Sequence, residues 1–299
     1  MVNLLEVFRQ YPALSRRLTC GDLLFTHYEC PQRNRKERTY LEYNLIVYVI
    51  SGRRIFHRNN RQYEMTEGVC MFIKKGTQIS ERPGDEGWCA MGFFLPDGFI
   101  KGLMNENLNK LPAYSLPGAQ DEDILNLHIN DLTRSFFSSM IPYFTMDPSP
   151  PENLVELKFK ELVLSILADT NNGHLLSYFN WLREGKLPAL EEIMEKNFTA
   201  NLTIEEYSFL ACRSTATFKR EFKKLFHTTP AKWIMKRRVR LARELLENTS
   251  MTVGEIAFEV GFESHQHFSR AFKEHIGATP SQWRLQRRTV TPTIRFQPA

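Results

Sequence analysis

Cysteine is scarce in this chain of 299 residues: Cys20, Cys30, Cys70, Cys89 and Cys212 are an odd number with no CxxC pair. That argues against a disulfide framework or a cysteine zinc knuckle, and fits free thiols in a reducing cytoplasm. Long apolar runs are also missing. The longest clear one, Leu45–Ile50, falls far short of the ~18 residues a membrane span needs. The opening MVNLLEVFRQYPALSRR has neither an extended apolar segment nor a small-residue cleavage site, so no signal peptide is expected. Histidine is sparse where strands are expected: the first hundred residues hold only His27 and His57, far apart and without an HxH pattern. A metal site in a β-barrel needs two or three histidines converging with a carboxylate. A soluble, cytoplasmic protein with no membrane partner, metal ligand or catalytic residue is the expectation.

Charge is present but unevenly placed. Residues 191–299 carry 18 Lys and Arg against 12 Asp and Glu, net +6, whereas residues 1–190 carry 21 against 22. The positive excess sits at the C-terminal end, where it suits a polyanion such as nucleic acid.

The same segment is written twice. Thr203, Glu206 and Phe209 recur 49 residues on as Thr252, Glu255 and Phe258. One residue is then inserted, and Ser214, Phe218, Arg220, Phe222, Lys223, Thr229, Pro230 and Trp233 recur 50 residues on as Ser264, Phe268, Arg270, Phe272, Lys273, Thr279, Pro280 and Trp283. A period near 50 marks one supersecondary unit used twice. Each copy has helix-turn-helix grammar. Thr203-Ile-Glu-Glu206 and Thr252-Val-Gly-Glu255 are capping boxes. The short helices they open are expected to bury Ile204 and Phe209 in one copy and Val253, Ile256 and Ala257 in the other. Ser214 and Ser264 cap second helices, whose phenylalanine pairs four residues apart mark the inward face. Thr229-Pro230 and Thr279-Pro280 open third helices.

The face turned away from those phenylalanines carries Ala216, Lys219, Arg220 and Lys223 in the first copy. In the second it carries Gln266, Ser269, Arg270 and Lys273, with His265 at its edge. Lys and Arg suit phosphates, Arg pairs bidentately with guanine, and Gln pairs with adenine in the major groove. One such helix could be a solvated basic face; the same face built twice makes double-stranded DNA the expected partner. His265 and His267 have HxH spacing, but on a helix they point about 200° apart and cannot share an ion. Between the copies, Ala231–Glu247 reads as a connecting helix with Trp233, Ile234, Leu241, Leu245 and Leu246 at helical spacing. Lys236, Arg237, Arg238 and Arg240 form a basic cluster on it. At ~23 Å it can hold the two second helices about one turn of DNA apart, ~34 Å.

The repeated unit, the run Arg240-Leu-Ala-x-x-Leu-Leu246 and the closing run IAFEVGFESHQHFSRAFKEHIGATPSQW resemble the DNA-binding domain of the AraC family of bacterial transcription regulators, from about Leu190 to Arg288. Ser208 stands where Ala is usual, and Cys212-Arg213 replace a Gly followed by an apolar residue. With Thr217-Phe-Lys-Arg220, these departures resemble a branch that includes activators of type III secretion genes. They bear on the first turn's geometry and its base contacts, not on the fold.

In the first half, Met1–Arg17 reads as a short amphipathic helix broken at Pro12. From about residue 23 to 95 strand signals recur at 8–12-residue intervals, with turns at Ser51-Gly52, Asn59-Asn60, Glu67-Gly68 and Lys75-Gly76. They describe a small antiparallel barrel or sandwich. Joined to the resemblance, this is similar to the cupin-like sensor domain that many AraC relatives carry. Tyr48, Phe56, Tyr63, Met71, Phe72, Trp88 and Phe93 either line a ligand space or fill the core. Helices return from Asp121 to Glu184, first with a stripe of Ile124, Leu125, His128 and Leu132. After a break at Asp147–Pro151 comes a helix around Leu154–Leu167 that is apolar around most of its circumference. It must bury itself against the barrel, a second subunit or both, and the family analogy favours dimerisation.

The expected fold class is α+β in two domains. Residues 1–184 form a cupin-like sensor and dimerisation domain, 185–190 a linker around Gly185-Lys-Leu-Pro188, 191–288 the DNA-binding domain and 289–299 a polar tail. The expected function is sequence-specific transcription regulation, by activation, through two helix-turn-helix units in successive major grooves. The implied partners are DNA, RNA polymerase, a second copy of the chain and a small-molecule or protein effector. Two readings compete. A cupin-type enzyme lacks its histidines, and the DNA-repair methyl acceptors that share this DNA-binding unit need a Pro-Cys motif or a zinc-bound cysteine cluster, which these cysteines do not make. An interaction module with a degenerate DNA-binding half is the other. No enzyme activity and no cofactor is expected.

Overall fold

In Asn44–Ser51 the apolar residues run on without a polar break from Leu45 to Ile50, yet odd and even positions serve different cores. Leu45, Val47 and Val49 face one way, with Phe56, Met71, Ala90 and Phe94. Ile46 and Tyr48 face the other, with Phe25, Phe72 and Phe93. A strand buried on both sides loses the polar alternation that marks a solvated one. The computed structural model describes residues 2–11, 15–30, 36–58, 61–83, 87–108, 110–112, 116 and 122–288. The chain divides into two units, Met1–Leu187 and Pro188–Ala299.

The first unit runs β1 (Val2–Asn3), α1 (Leu4–Gln10), β2 (Ser15–Cys20), β3 (Leu23–Cys30), β4 (Lys36–Leu41), β5 (Asn44–Ser51), β6 (Arg54–Arg58), β7 (Arg61–Met65), β8 (Cys70–Ile73), β9 (Gly76–Glu81), β10 (Trp88–Leu95), α2 (Asp97–Glu106), β11 (Ile124–Leu127), α3 (Asp131–Met140), α4 (Glu152–Ala168) and α5 (Gly173–Arg183). One sheet has the order β1-β4-β9-β6-β7 and the other β11-β8-β5-β10-β3-β2. Pairing is antiparallel except between β1 and β4. One core joins residues of both sheets, with Leu5 and Phe8 of α1 added to it. The other lies where helices cover the six-stranded sheet: Phe159 of α4 stacks on Phe25 at 3.6 Å between ring centroids, and Phe137 of α3 on Tyr48 at 4.0 Å. This is an α+β arrangement, as expected, with the strands in two sheets that share one core. A cavity of about 410 Å³ opens inside it, lined by Leu4, Phe8, Phe56, Gln78, Trp88 and Phe94 among others.

Several expectations are corrected. Strands also occur ahead of residue 23: Val2–Asn3 pairs with β4 and Ser15–Cys20 with β3. Ile124 and Leu125 belong to a strand, not a helix: Ile124–Leu127 pairs with β8 at the sheet edge, and Leu132 is 66% exposed. Of the residues that either line a ligand space or fill the core, Tyr48, Phe72 and Phe93 pack in the core beneath the helices, while Phe56 and Trp88 face the cavity. The apolar circumference of α4 is spent largely inside the unit, on Val155, Phe159, Leu162, Val163, Ile166 and Leu167, and Leu157 is left 60% exposed. Pro12 and the turn at Asn59-Asn60 lie outside the described residues.

The second unit is helical: α6 (Leu190–Asn197), α7 (Ile204–Leu210), α8 (Thr215–Phe226), α9 (Pro230–Asn248), α10 (Val253–Glu259), α11 (His265–Ile276) and α12 (Pro280–Arg288). Among the described residues no helix is long and apolar enough to cross a membrane.

Candidate nucleic-acid interface

Both repeats start where their side chains can satisfy the first free amides. Thr203 Oγ1 accepts from the Glu206 amide at 3.1 Å and Glu206 accepts from the Thr203 amide at 2.7 Å; Thr252 and Glu255 repeat this at 3.2 and 2.6 Å. Hydrogen bonding from Thr252, its backbone amide first and then its side chain, holds the Glu255 carboxyl below its ordinary value. Ser214 and Ser264 then cap α8 and α11 by accepting from Thr217 and His267 amides. The left-handed residues His227 and Gly277 end these helices.

Each repeat closes its own core. Phe218 and Phe222 are fully buried with Tyr207, Ala211 and Met194, against Trp233 and Ile234 at the start of α9. Phe268 and Phe272 are fully buried with Ile256, Ala257, Val260 and Phe262, against Val239, Ala242 and Leu246 further along α9. One helix therefore serves two cores, and its 19 residues span ~28 Å. Arg238 sits between them. Its guanidinium donates to the Phe198 and Ala200 carbonyls at 2.7 Å each and to the Gly261 carbonyl at 2.8 Å.

Burial of the phenylalanines fixes what the other face shows. Ala216, Lys219, Arg220 and Lys223 of α8 are exposed, as are His265, Gln266, Arg270 and Lys273 of α11; Ser269 is half-buried. Among the described residues, Lys219, Arg220, Lys223, Arg270 and Lys273 make no ion pair, whereas Arg213 pairs with Glu221, Arg237 with Glu195 and Arg240 with Glu244. Cations left unmatched on a rigid face can neutralise phosphates without first breaking a bond.

Two expectations fail here. Phe209 is 40% exposed, and its neighbours Tyr207 and Leu210 supply the core, because α7 turns its Tyr207–Leu210–Ala211 side inward. Arg238 is not part of a surface cluster but buried, since three backbone carbonyls replace its water. The departures at Cys212-Arg213 leave the turn intact. Cys212 takes the left-handed conformation at φ 54° that Gly261 takes at 95° in the second copy. Arg213 donates to the Pro188 and Ala211 carbonyls and pairs with Glu221 at 2.7 Å. In the first unit the structure also gathers His27, Glu29 and Cys89; sequence spacing gave no reason to group Cys89 with the other two, because it lies on β10 and they lie on β3.

Two helix-turn-helix units on one shared helix, each with an exposed cationic second helix, define a DNA-binding protein of the tandem type. The family described as ExsA N-terminal regulatory domain matches residues 44–178, and a helix-turn-helix domain family matches residues 208–286. The chain is 30% identical over 210 residues to the HTH-type transcriptional regulator ExsA of Pseudomonas aeruginosa, covering 69% of this chain and 73% of that protein. It is 25% identical over 225 residues to the virulence regulon transcriptional activator VirF of Yersinia enterocolitica, covering 75% of this chain and 82% of that one. An apo form of ToxT from Vibrio cholerae aligns over 88% of this chain and 97% of its own, at 14% identity and a TM-score of 0.43. The chain belongs to the AraC family of transcription regulators, with an ExsA-type N-terminal domain, and is a DNA-binding transcription activator.

Proposed function

We propose that the protein reads a promoter by laying α8 and α11 into two successive major grooves. Lys219, Arg220, Gln266 and Arg270 contact bases or adjacent phosphates, Lys223 and Lys273 anchor phosphates, and Ala216, His265 and Ser269 lie against the groove. The observation that carries this reading is the repetition: two second helices, each with its phenylalanines buried and its opposite cations exposed without an ion pair. The bolt of Arg238 across both repeats supports a fixed spacing between them. In this reading residues 191–288 are the DNA-binding domain and residues 1–184 sense an effector, a small molecule in the cavity or a protein on the surface. A second copy and RNA polymerase complete the complex in the cytoplasm.

Replacing Arg220 or Arg270 by Ala weakens binding to the promoter by about 1–3 kcal/mol and relaxes preference at a few base pairs. Fluorescence anisotropy on the promoter and on single-base variants measures both. Unchanged affinity and preference in either variant removes that helix from the interface.

A further inference from the structure

Strands β3 and β10 pair so that Glu29 stands opposite Cys89 and His27 opposite Met91. Residues two apart on a strand share a face, so His27, Glu29 and Cys89 project together from the side of the sheet that also carries Phe25 and Phe93. The register of β10 against β5 shifts between Cys89 and Ala90, a bulge of the kind that re-aims side chains. Cys89 Sγ lies 3.3 Å from His27 Nε2, and the sulfur, the imidazole nitrogen and a Glu29 oxygen all fall within 4.8 Å of one another. The Phe144 ring, 5.7 Å from the imidazole, flanks the pair. Glu29 is exposed, which leaves the opposite side open to solvent.

We propose that His27, Glu29 and Cys89 form a binding site for a zinc-class divalent cation. Tetrahedral zinc with bonds of ~2.3 Å to sulfur and ~2.0 Å to nitrogen sets those two atoms about 3.5 Å apart. The thiol and imidazole already stand close to that spacing. Glu29 needs only a rotamer change at the open edge to supply the third ligand, and water takes the fourth position. Soft sulfur with imidazole selects this class of ion over magnesium or calcium, which take oxygen ligands. Binding converts the thiol to thiolate and releases its proton to solvent, so affinity falls as pH falls. The bound ion ties β3 to β10 and so favours the folded first unit.

The test is titration of the full chain, stripped with chelator, with Co²⁺. One equivalent produces a thiolate-to-cobalt charge-transfer absorption in the near ultraviolet, Zn²⁺ displaces it, and one proton per ion appears in a weakly buffered indicator solution. Cys89→Ser abolishes the band, and His27→Gln weakens binding by at least about tenfold. Cys20→Ser and Cys70→Ser keep the band. Circular dichroism of each stripped variant establishes that it folds, and His27→Gln stands in should Cys89→Ser not fold. Absence of the band in the parent chain, its survival in Cys89→Ser, or unchanged affinity in a folded His27→Gln overturns the site.

Discussion

At the scale of single residues, the two copies show how different chemistry fills one backbone turn. The Cys212 amide bonds the Phe209 carbonyl at 3.0 Å and the Arg213 amide bonds Ser208 at 2.9 Å. Gly261 and Phe262 repeat this on Phe258 and Ala257 at 3.0 and 2.8 Å. Left-handed φ is common to both, but close approach is not. A Cβ on Gly261 would lie 2.1 Å from the Thr199 carbonyl oxygen and 3.0 Å from the Arg238 guanidinium carbon. Gly261→Ala therefore lowers the stability of the C-terminal unit by more than about 2 kcal/mol. Cys212→Gly changes it by less than about 1 kcal/mol, because relief of backbone strain offsets the added freedom of the unfolded chain. Urea denaturation of both variants checks the asymmetry; equal effects would mean that the approach of Thr199 is unimportant. Asp169 makes a different prediction. Burial acts to raise its carboxyl, but donors from the His128 ring at 2.7 Å and from Asn171 outweigh it and hold the group below its ordinary value. A depressed carboxylate contributes stability above its unfolded pKa of ~3.9, and that contribution is lost as pH falls through the lower folded value. Asp169→Asn is thus less stable than the parent at pH 7, and the gap in melting temperature closes as the pH drops below the ordinary carboxylate range.

At the scale of elements, α9 decides whether two reading heads act as one. Its first turns complete one core and its later turns the other, and Arg238 donates to carbonyls at Phe198 and Ala200 on the first repeat's side and at Gly261 on the second's. Arg238→Leu leaves three buried carbonyls without their donor and costs about 3 kcal/mol or more; Arg238→Lys restores part of that. The effect on DNA is separable from stability. The parent loses affinity when half a turn of DNA is inserted between half-sites, whereas folded Arg238→Lys depends less on that spacing. If the variant keeps the parent's spacing dependence, packing along α9 alone sets the geometry. This element was only half legible from sequence. Its apolar stripe and its caps were plain, because helix periodicity and Thr-Pro starts are local signals. Arg238 was not: four cations within five residues look like one solvated cluster until backbone carbonyls from distant turns are placed around one of them. The same holds for Ile124–Leu127, a four-residue edge strand that takes its state from β8 rather than from its own pattern, and for Phe209, whose exposure depends on which side of a seven-residue helix meets Trp233 and Phe218.

At the scale of the whole molecule, the division of charge matches the division of the chain. The net +6 of the last 109 residues lies in the unit that begins at Pro188, and each repeat within that unit closes a core of its own. The tandem repeat was legible because its capping boxes and phenylalanine pairs are written in order at fixed offsets. The first unit was less so, because strands buried on both faces show neither clean alternation nor which aromatics face the cavity. If all base and phosphate contacts reside in the second unit, residues 188–299 produced alone fold and keep the parent's base preference. The slope of log K against log salt, close to −0.9 for each phosphate neutralised, also stays that of one bound copy of the parent. Affinity on a promoter with two sites falls nonetheless, because the fragment lacks the unit through which a second copy would add its own contacts. Anisotropy titrations at several salt concentrations, on one-site and two-site duplexes, separate these effects. A shallower slope on a single site would mean that cations of the first unit, such as Arg16 or Lys36, reach the phosphates as well, and the assignment of all DNA contacts to the second unit would have to be given up.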